Sequence, residues 1–158
     1  MAESSIVHDT FVVERTYTRA PEQVFAALRD PDKKRRWFAE SERHDVEVFE
    51  LDFRVGGRER AAFRFKEGTP FAGLSYACDN FYLDIVEGSR VVMASTMDFG
   101  GKPISASLVT FELLGSEAGT RLILTHQGAF FEGSDGPARR HQGWQEILDR
   151  MDRELGAR

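Results

Sequence analysis

The chain has little that could tie it together covalently or through a metal. It holds one cysteine, Cys78, so no intramolecular disulfide can form, and a lone thiol fits a reducing compartment. Its four histidines, His8, His44, His126 and His141, form no HxH, HxxxH or HExxH spacing, which argues against a structural metal. Positive charge is also short: 21 Lys and Arg against 26 Asp and Glu leave a net −5, the wrong sign for a nucleic-acid partner. The one basic run, Lys33-Lys34-Arg35-Arg36, lies beside Asp30 and Asp32 and reads as a solvated helix face. No apolar stretch approaches the length of a bilayer span, and Met1-Ala2-Glu3-Ser4-Ser5 lacks the basic and apolar regions of a signal peptide. A cytoplasmic protein without membrane insertion is the expectation.

The usual catalytic and nucleotide signatures are missing too. Gly56-Gly57 and Gly100-Gly101 are hairpin pairs without the spacing of a phosphate loop or a dinucleotide fingerprint, so no cofactor is expected. Ser116 and Ser134 fall in turns, outside any Gly-x-Ser-x-Gly context. Cys78 falls in a predicted strand, where a free cysteine behaves as a small buried hydrophobe.

What is present is a chain of 158 residues, 41% hydrophobic and 30% charged, enough for one core. Thirteen phenylalanines are more than a core of this size needs to be unremarkable; packing is their first use and the wall of a cavity the second. Residues 1–10 are expected to be a flexible start and 11–158 a single domain. Phe11 to Thr18 reads as a strand. Two short helices follow, one opened by Ala20-Pro21 and one by Asp30-Pro31, the second carrying Trp37-Phe38 at its end. Six strands come next, over Val46–Val55, Arg58–Phe65, Ser75–Val86, Arg90–Phe99, Ile104–Leu114 and Thr120–Gln127, with a two-residue turn expected at Gly56-Gly57. The period then changes. After Gly136-Pro137 the apolar positions Trp144, Ile147, Leu148, Met151 and Leu155 form one helical stripe, with His141 one turn earlier. An antiparallel meander with one apolar face needs a cover, and this helix offers the matching stripe.

Several stretches together match a known pattern. They are Asp30-Pro31 with Trp37-Phe38, Phe53-Arg54-Val55-Gly56-Gly57, Tyr82-Leu83-Asp84-Ile85-Val86 before Arg90-Val91-Val92, and Val109-Thr110-Phe111-Glu112. Gly119-Thr120-Arg121-Leu122, Gln127-Gly128-Ala129-Phe130 and Gly143-Trp144 leading into Leu148-Asp149 complete the set, from about Phe11 to Leu155. In this order they resemble the START-like (SRPBCC) superfamily and, more narrowly, short bacterial members of the family named for the activator of the ninety-kilodalton heat-shock chaperone ATPase. The resemblance implies an α+β helix-grip fold: a curved seven-stranded antiparallel sheet around a long C-terminal helix. It also implies three functions to choose among, since fold alone does not settle function. The favoured one is binding of a small hydrophobic or aromatic ligand between sheet and helix. The others are an enzyme of cyclase, hydrolase or isomerase type in the same cavity, and a module that stimulates a chaperone ATPase. A homodimer and a chaperone stay open as partners.

Strand and helix phase select the candidate wall. Trp37, Phe38, Phe63, Met93, Met97 and Phe111 supply apolar surface from the sheet and the second short helix, and Trp144, Leu148 and Met151 supply it from the last helix. Tyr82 and His126 are expected to orient a ligand. His126 shares its phase with Leu122 and Leu124, and His141 lies on the helix stripe, so two imidazoles meeting in one cavity could act near neutral pH. The plainer reading, preferred here, has His126 hydrogen-bonded at the sheet rim and His141 half exposed. Glu59 shares its phase with Ala61, Phe63 and Phe65, as a carboxylate in an apolar wall or at a wet strand end. No residue is assigned as catalytic; His126 and Glu59 are the weak candidates.

Overall fold

Alternating apolar and polar residues between glycine-rich turns produce seven strands, and the computed structural model, which describes residues 2–156, joins them in one antiparallel sheet. The elements are β1 (Val7–Tyr17), α1 (Pro21–Arg29), α2 (Pro31–Lys34) running into a π-helical turn (Arg35–Ala39), β2 (His44–Leu51), β3 (Arg58–Phe65), β4 (Ser75–Val86), β5 (Arg90–Phe99), β6 (Lys102–Ser116), β7 (Gly119–Phe130) and α3 (Pro137–Gly156). The spatial order is β1-β7-β6-β5-β4-β3-β2, so the first strand pairs with the last and only β1 leaves the meander.

Two expectations need correction. β1 begins at Val7, where Val7 pairs with Phe130, so residues 7–10 of the expected flexible start are part of the sheet. Met1 of that start and residues 157–158 of the expected domain lie outside the described residues. The turn between β2 and β3 is also longer than two residues: β2 ends at Leu51 and the chain loops through Asp52 to Gly57. Gly56 N–H donates to the Tyr82 carbonyl at 2.8 Å and Tyr82 N–H to the Gly57 carbonyl at 3.1 Å, so the loop is tied to β4. A Cβ on Gly57 would lie 2.1 Å from the Asp52 carbonyl oxygen, a close approach that only glycine allows. The loop thereby swings Phe53 inward, edge-on to Phe25 at 5.6 Å and to Tyr82 at 5.1 Å.

Proline at the first position starts both short helices, and only the second has a side-chain cap, Asp30. Asp30 accepts from the backbone N–H groups of Asp32 and Lys33 at 2.9 and 3.4 Å, and Ala20 N–H donates to Gln23 Oε1 at 3.2 Å. Extra residues in β2, β4 and β6, at Glu47, Leu83 and Ile104, add local bend, which helps the sheet curl. Inside the curl lies α3, with Trp144, Leu148 and Met151 buried against the sheet as its stripe requires. Tyr17 Oη donates to the Leu148 carbonyl at 2.9 Å and fixes the helix to β1.

Candidate functional site

The concave face of the sheet is built of rungs, each formed by residues in register across neighbouring strands. One rung is polar: Glu59 of β3 faces Asn80 of β4, which faces Ser95 of β5, which faces Ser107 of β6. The next runs Tyr82, Met93, Val109, His126, Phe11 across β4, β5, β6, β7 and β1. Where α3 does not fill the curl, these rungs and the helix enclose a cavity of about 450 Å³. Its floor includes Asn80, Ser95, Met93, Val109 and His126; Trp144 and Ile147 come from α3 and Phe38 from the π-turn. Towards solvent the lining continues through Phe63, Phe65, Phe71, Tyr76, Met97 and Phe99, with Arg43, Arg139 and Arg150 at the mouth.

One end of the polar rung is a buried ion pair. Lys34 Nζ lies 2.6 Å from Glu59 Oε1, with the two side chains 2% and 0% exposed. Lys34 also donates to Tyr82 Oη at 3.3 Å, and Tyr82 Oη donates to Glu59 Oε1 at 3.3 Å. The ammonium sits 5.2 Å from the centre of the Phe38 ring and 5.9 Å from that of Trp37. Burial alone would lower the Lys34 pKa, but Glu59 and Tyr82 outweigh it and the net shift is upward. Lys34 is therefore held as a cation and is no amine nucleophile. The last oxygen of Glu59 accepts from Asn80 Nδ2 at 2.5 Å. That bond sets the amide's orientation and leaves Asn80 Oδ1, buried, with no protein partner among the described residues.

Across the floor, His126 Nδ1 is likewise buried without a protein partner among the described residues. Burial, reinforced by the Arg140 charge, pulls the His126 pKa down to about 4, so the imidazole is neutral at physiological pH. The ring stacks on Phe11 at 4.5 Å, and His141 stacks on the other face of the same phenyl at 4.6 Å. The two imidazoles that phase placed together are thus separated by an aromatic ring. His126 is also away from the rim, and the rim hydrogen bond preferred from sequence is absent among the described residues.

Nearer the mouth, Tyr76 Oη lies 2.8 Å from His44 Nδ1, and His44 Nε2 lies 2.6 Å from the Ala39 carbonyl. A carbonyl only accepts, so Nε2 carries the proton and Nδ1 accepts from the tyrosine. Burial lowers the His44 pKa, in keeping with that neutral tautomer. Arg140 is buried and satisfied by Asp135, at 2.8 Å from each carboxylate oxygen, and by Ser105 Oγ at 3.0 Å.

Of the residues expected in the wall, Phe38, Phe63, Met93, Met97, His126 and Trp144 line the cavity. Six do not. Trp37 turns into the core, where its Nε1 donates to the Ala27 carbonyl at 2.8 Å. Tyr82 is taken by Lys34 and Glu59, so it is unavailable to orient a ligand. Phe111 lies behind Trp144, edge-on at 5.9 Å, and Leu148 and Met151 are wholly buried in packing. His141 lies against Phe11. Glu59 is in the apolar interior as one of its two readings had it, but as half of an ion pair.

Sequence reasoning missed Lys34, which is buried and no part of a solvated face. A signal existed: Lys34, Trp37 and Phe38 stand at i, i+3 and i+4 on one helical face, and Glu59 lies in an apolar strand phase, so two interior charges of opposite sign were on offer. Asn80, Ser95, Tyr76 and Arg150 carried no such signal. Among the described residues no group of three or more His, Cys, Asp or Glu side chains comes together to hold a metal, and no helix is long and apolar enough to cross a membrane.

A curled seven-stranded antiparallel sheet gripping one C-terminal helix, with a cavity between them, defines a helix-grip domain of the START type. The pattern of the family described as Activator of Hsp90 ATPase homolog 1-like protein matches residues 18–156, and the chain belongs to that family. Solved structures agree. A protein from Rhizobium leguminosarum is 35% identical over 96% of this chain and 97% of its own, with a TM-score of 0.89. One from Rhizobium loti is 40% identical over 96% and 99%, with a TM-score of 0.83. The solution structure of an AHSA1-like protein from Aeromonas hydrophila is 25% identical over 94% and 92%, with a TM-score of 0.70. No curated protein matches the chain.

Proposed function

We propose that the chain binds a small, largely apolar molecule of aromatic size in the cavity between the sheet and α3. The observation that carries this reading is a mostly aromatic and aliphatic cavity whose lining includes Asn80 and His126, each of which keeps a buried polar atom, Oδ1 and Nδ1, without a protein partner among the described residues. Buried polar groups are nearly always hydrogen-bonded, and a polar ligand group or a water meets that need. A volume of about 450 Å³ is within the usual range for small-molecule sites, and so is an apolar wall with a few polar groups. Apolar burial, about 25 cal/mol per Å², supplies the affinity, and the two polar atoms orient the ligand. Turnover in the same cavity is less well supported: His126, with a pKa near 4, is a weak base at neutral pH, and Lys34 is locked in its ion pair.

Thermal-shift screening of aromatic and lipid-like compounds, followed by calorimetric titration of the hits, tests the reading. Binders should be recovered unchanged. Ser95→Phe, which fills the floor, should abolish binding while keeping the protein folded, and Asn80→Leu should weaken it several-fold, the loss of an orienting bond being worth about 1 kcal/mol. Affinity untouched by Ser95→Phe would move the site elsewhere. Chemical conversion that collapses in His126→Ala would make the protein an enzyme, and stimulation of a chaperone ATPase with no ligand found would replace the binding reading.

A further inference from the structure

Charge at the cavity mouth is out of keeping with the rest of the molecule. The protein is acidic overall, at −5, and among the described residues eleven of its arginines form ion pairs, from Arg15 with Asp149 to Arg140 with Asp135. Arg150, on the face of α3 that borders the cavity, is half-buried and forms no ion pair among the described residues. Its Nε donates to the Trp37 carbonyl at 3.2 Å, which anchors the stem and leaves the two terminal nitrogens of the guanidinium uncommitted. Arg139, also lining the mouth, has no ion pair among the described residues. Arg43 has one loose contact, 3.7 Å to Glu146. Three guanidinium groups thus border the opening against the single carboxylate of Glu146. The other groups there add no negative charge: His44 and Tyr76 satisfy one another, Asp135 is neutralised by Arg140, and Arg153 adds a like charge beside Arg150.

We infer that the ligand is an amphipathic organic anion, whose apolar body fills the cavity and whose oxyanion is held at the mouth by Arg150 and Arg43; this rests on the cavity being a binding site. A guanidinium carried into a half-buried position with one neutral hydrogen bond and no ion pair loses hydration that the protein only partly returns. A carboxylate or sulfonate at the mouth supplies the missing partner, and the planar fork of arginine donates two parallel hydrogen bonds to such a group. Burial lowers the Arg150 pKa, and Glu146, which acts against it, does not offset burial together with the like charges of Arg153 and Arg43. Stacked aromatic surface in the same lining, from Phe63, Phe65 and Tyr76, matches an apolar body attached to that anion.

A matched pair of fluorescent probes separates charge from shape. 1-Anilinonaphthalene-8-sulfonate and N-phenyl-1-naphthylamine share one skeleton and differ in the sulfonate, and both brighten on leaving water. The sulfonate should bind the native protein at least ten-fold more tightly, and added sodium chloride should erode only its affinity. Arg150→Gln and Arg43→Gln should each remove most of that preference while leaving the neutral probe unaffected, and Arg150→Lys should retain part of it. Circular dichroism melting of each variant checks that the Trp37 contact has not been lost with the fold. Equal binding of the two probes, or a preference that survives both glutamine substitutions, overturns the anion inference and leaves the cavity reading standing. Failure of both probes to bind, or binding of both that persists in Ser95→Phe, counts against the cavity itself and takes the inference with it.

Discussion

Replacing Glu59 with glutamine should unfold this protein at a distinctly lower temperature, and the effect should depend on pH in a definite direction. Glu59 is wholly buried and meets Lys34 Nζ at 2.6 Å, with Tyr82 and Asn80 completing its hydrogen bonds. Glutamine keeps the shape and the bond to Asn80 but removes the charge, leaving a buried ammonium without a partner. Breaking a buried pair from one side costs about 3–5 kcal/mol. For a domain of this size each kcal/mol moves the midpoint by about 2–4 °C, so a fall of roughly 6–20 °C is expected. In the native protein Glu59 and Tyr82 raise the Lys34 pKa against the pull of burial, so the pair's contribution is fully present below the unfolded lysine value and is lost as pH rises through the folded one. In the variant burial is unopposed by Glu59, the folded pKa drops below the unfolded one, and stability is lost as pH falls between them. Calorimetry or circular dichroism melts at pH 6, 7.5 and 9 should therefore show the variant's deficit shrinking as pH rises. Adding Lys34→Met should restore most of the loss, because the uncompensated charge is gone. A single variant within about 1 kcal/mol of the native protein at pH 7, with no gain from the second substitution, refutes the buried ion pair.

Two further outcomes follow from the geometry. Trp144→Ala removes a buried indole packed on Phe38 at 6.0 Å and Phe111 at 5.9 Å, and should cost about 3–5 kcal/mol in a denaturant titration; an unchanged midpoint would show that α3 does not face the core through this residue. His126, at about 4 in the fold against 6.5 for the free side chain, should make the native protein lose stability as pH falls through that window, by up to about 1.4 kcal/mol per pH unit, and His126→Gln should flatten the slope; equal slopes would place the ring in water.

Local patterning in the sequence determined most of the elements: three of the seven strands begin and end at the expected residues, and α3 starts at Pro137 as its glycine-proline entry requires. Local rules also put six cavity residues on the inner face, since strand alternation and helical spacing decide which way a side chain points. Pairing of β1 with β7 was decided only in the tertiary structure, because strands far apart in sequence find each other through shared burial and leave no mark in either segment. The same holds for which inward residue touches empty space and which touches a neighbour. Tyr82 and Asn80 have the same phase on β4, yet Lys34 arrives from a helix nearly fifty residues away to occupy one, while the other, held by Glu59, lines the cavity. Phe11 separates two histidines that the same reasoning had brought together. Periodicity reports a direction, whereas a cavity and its charge are made by what every other element leaves unfilled.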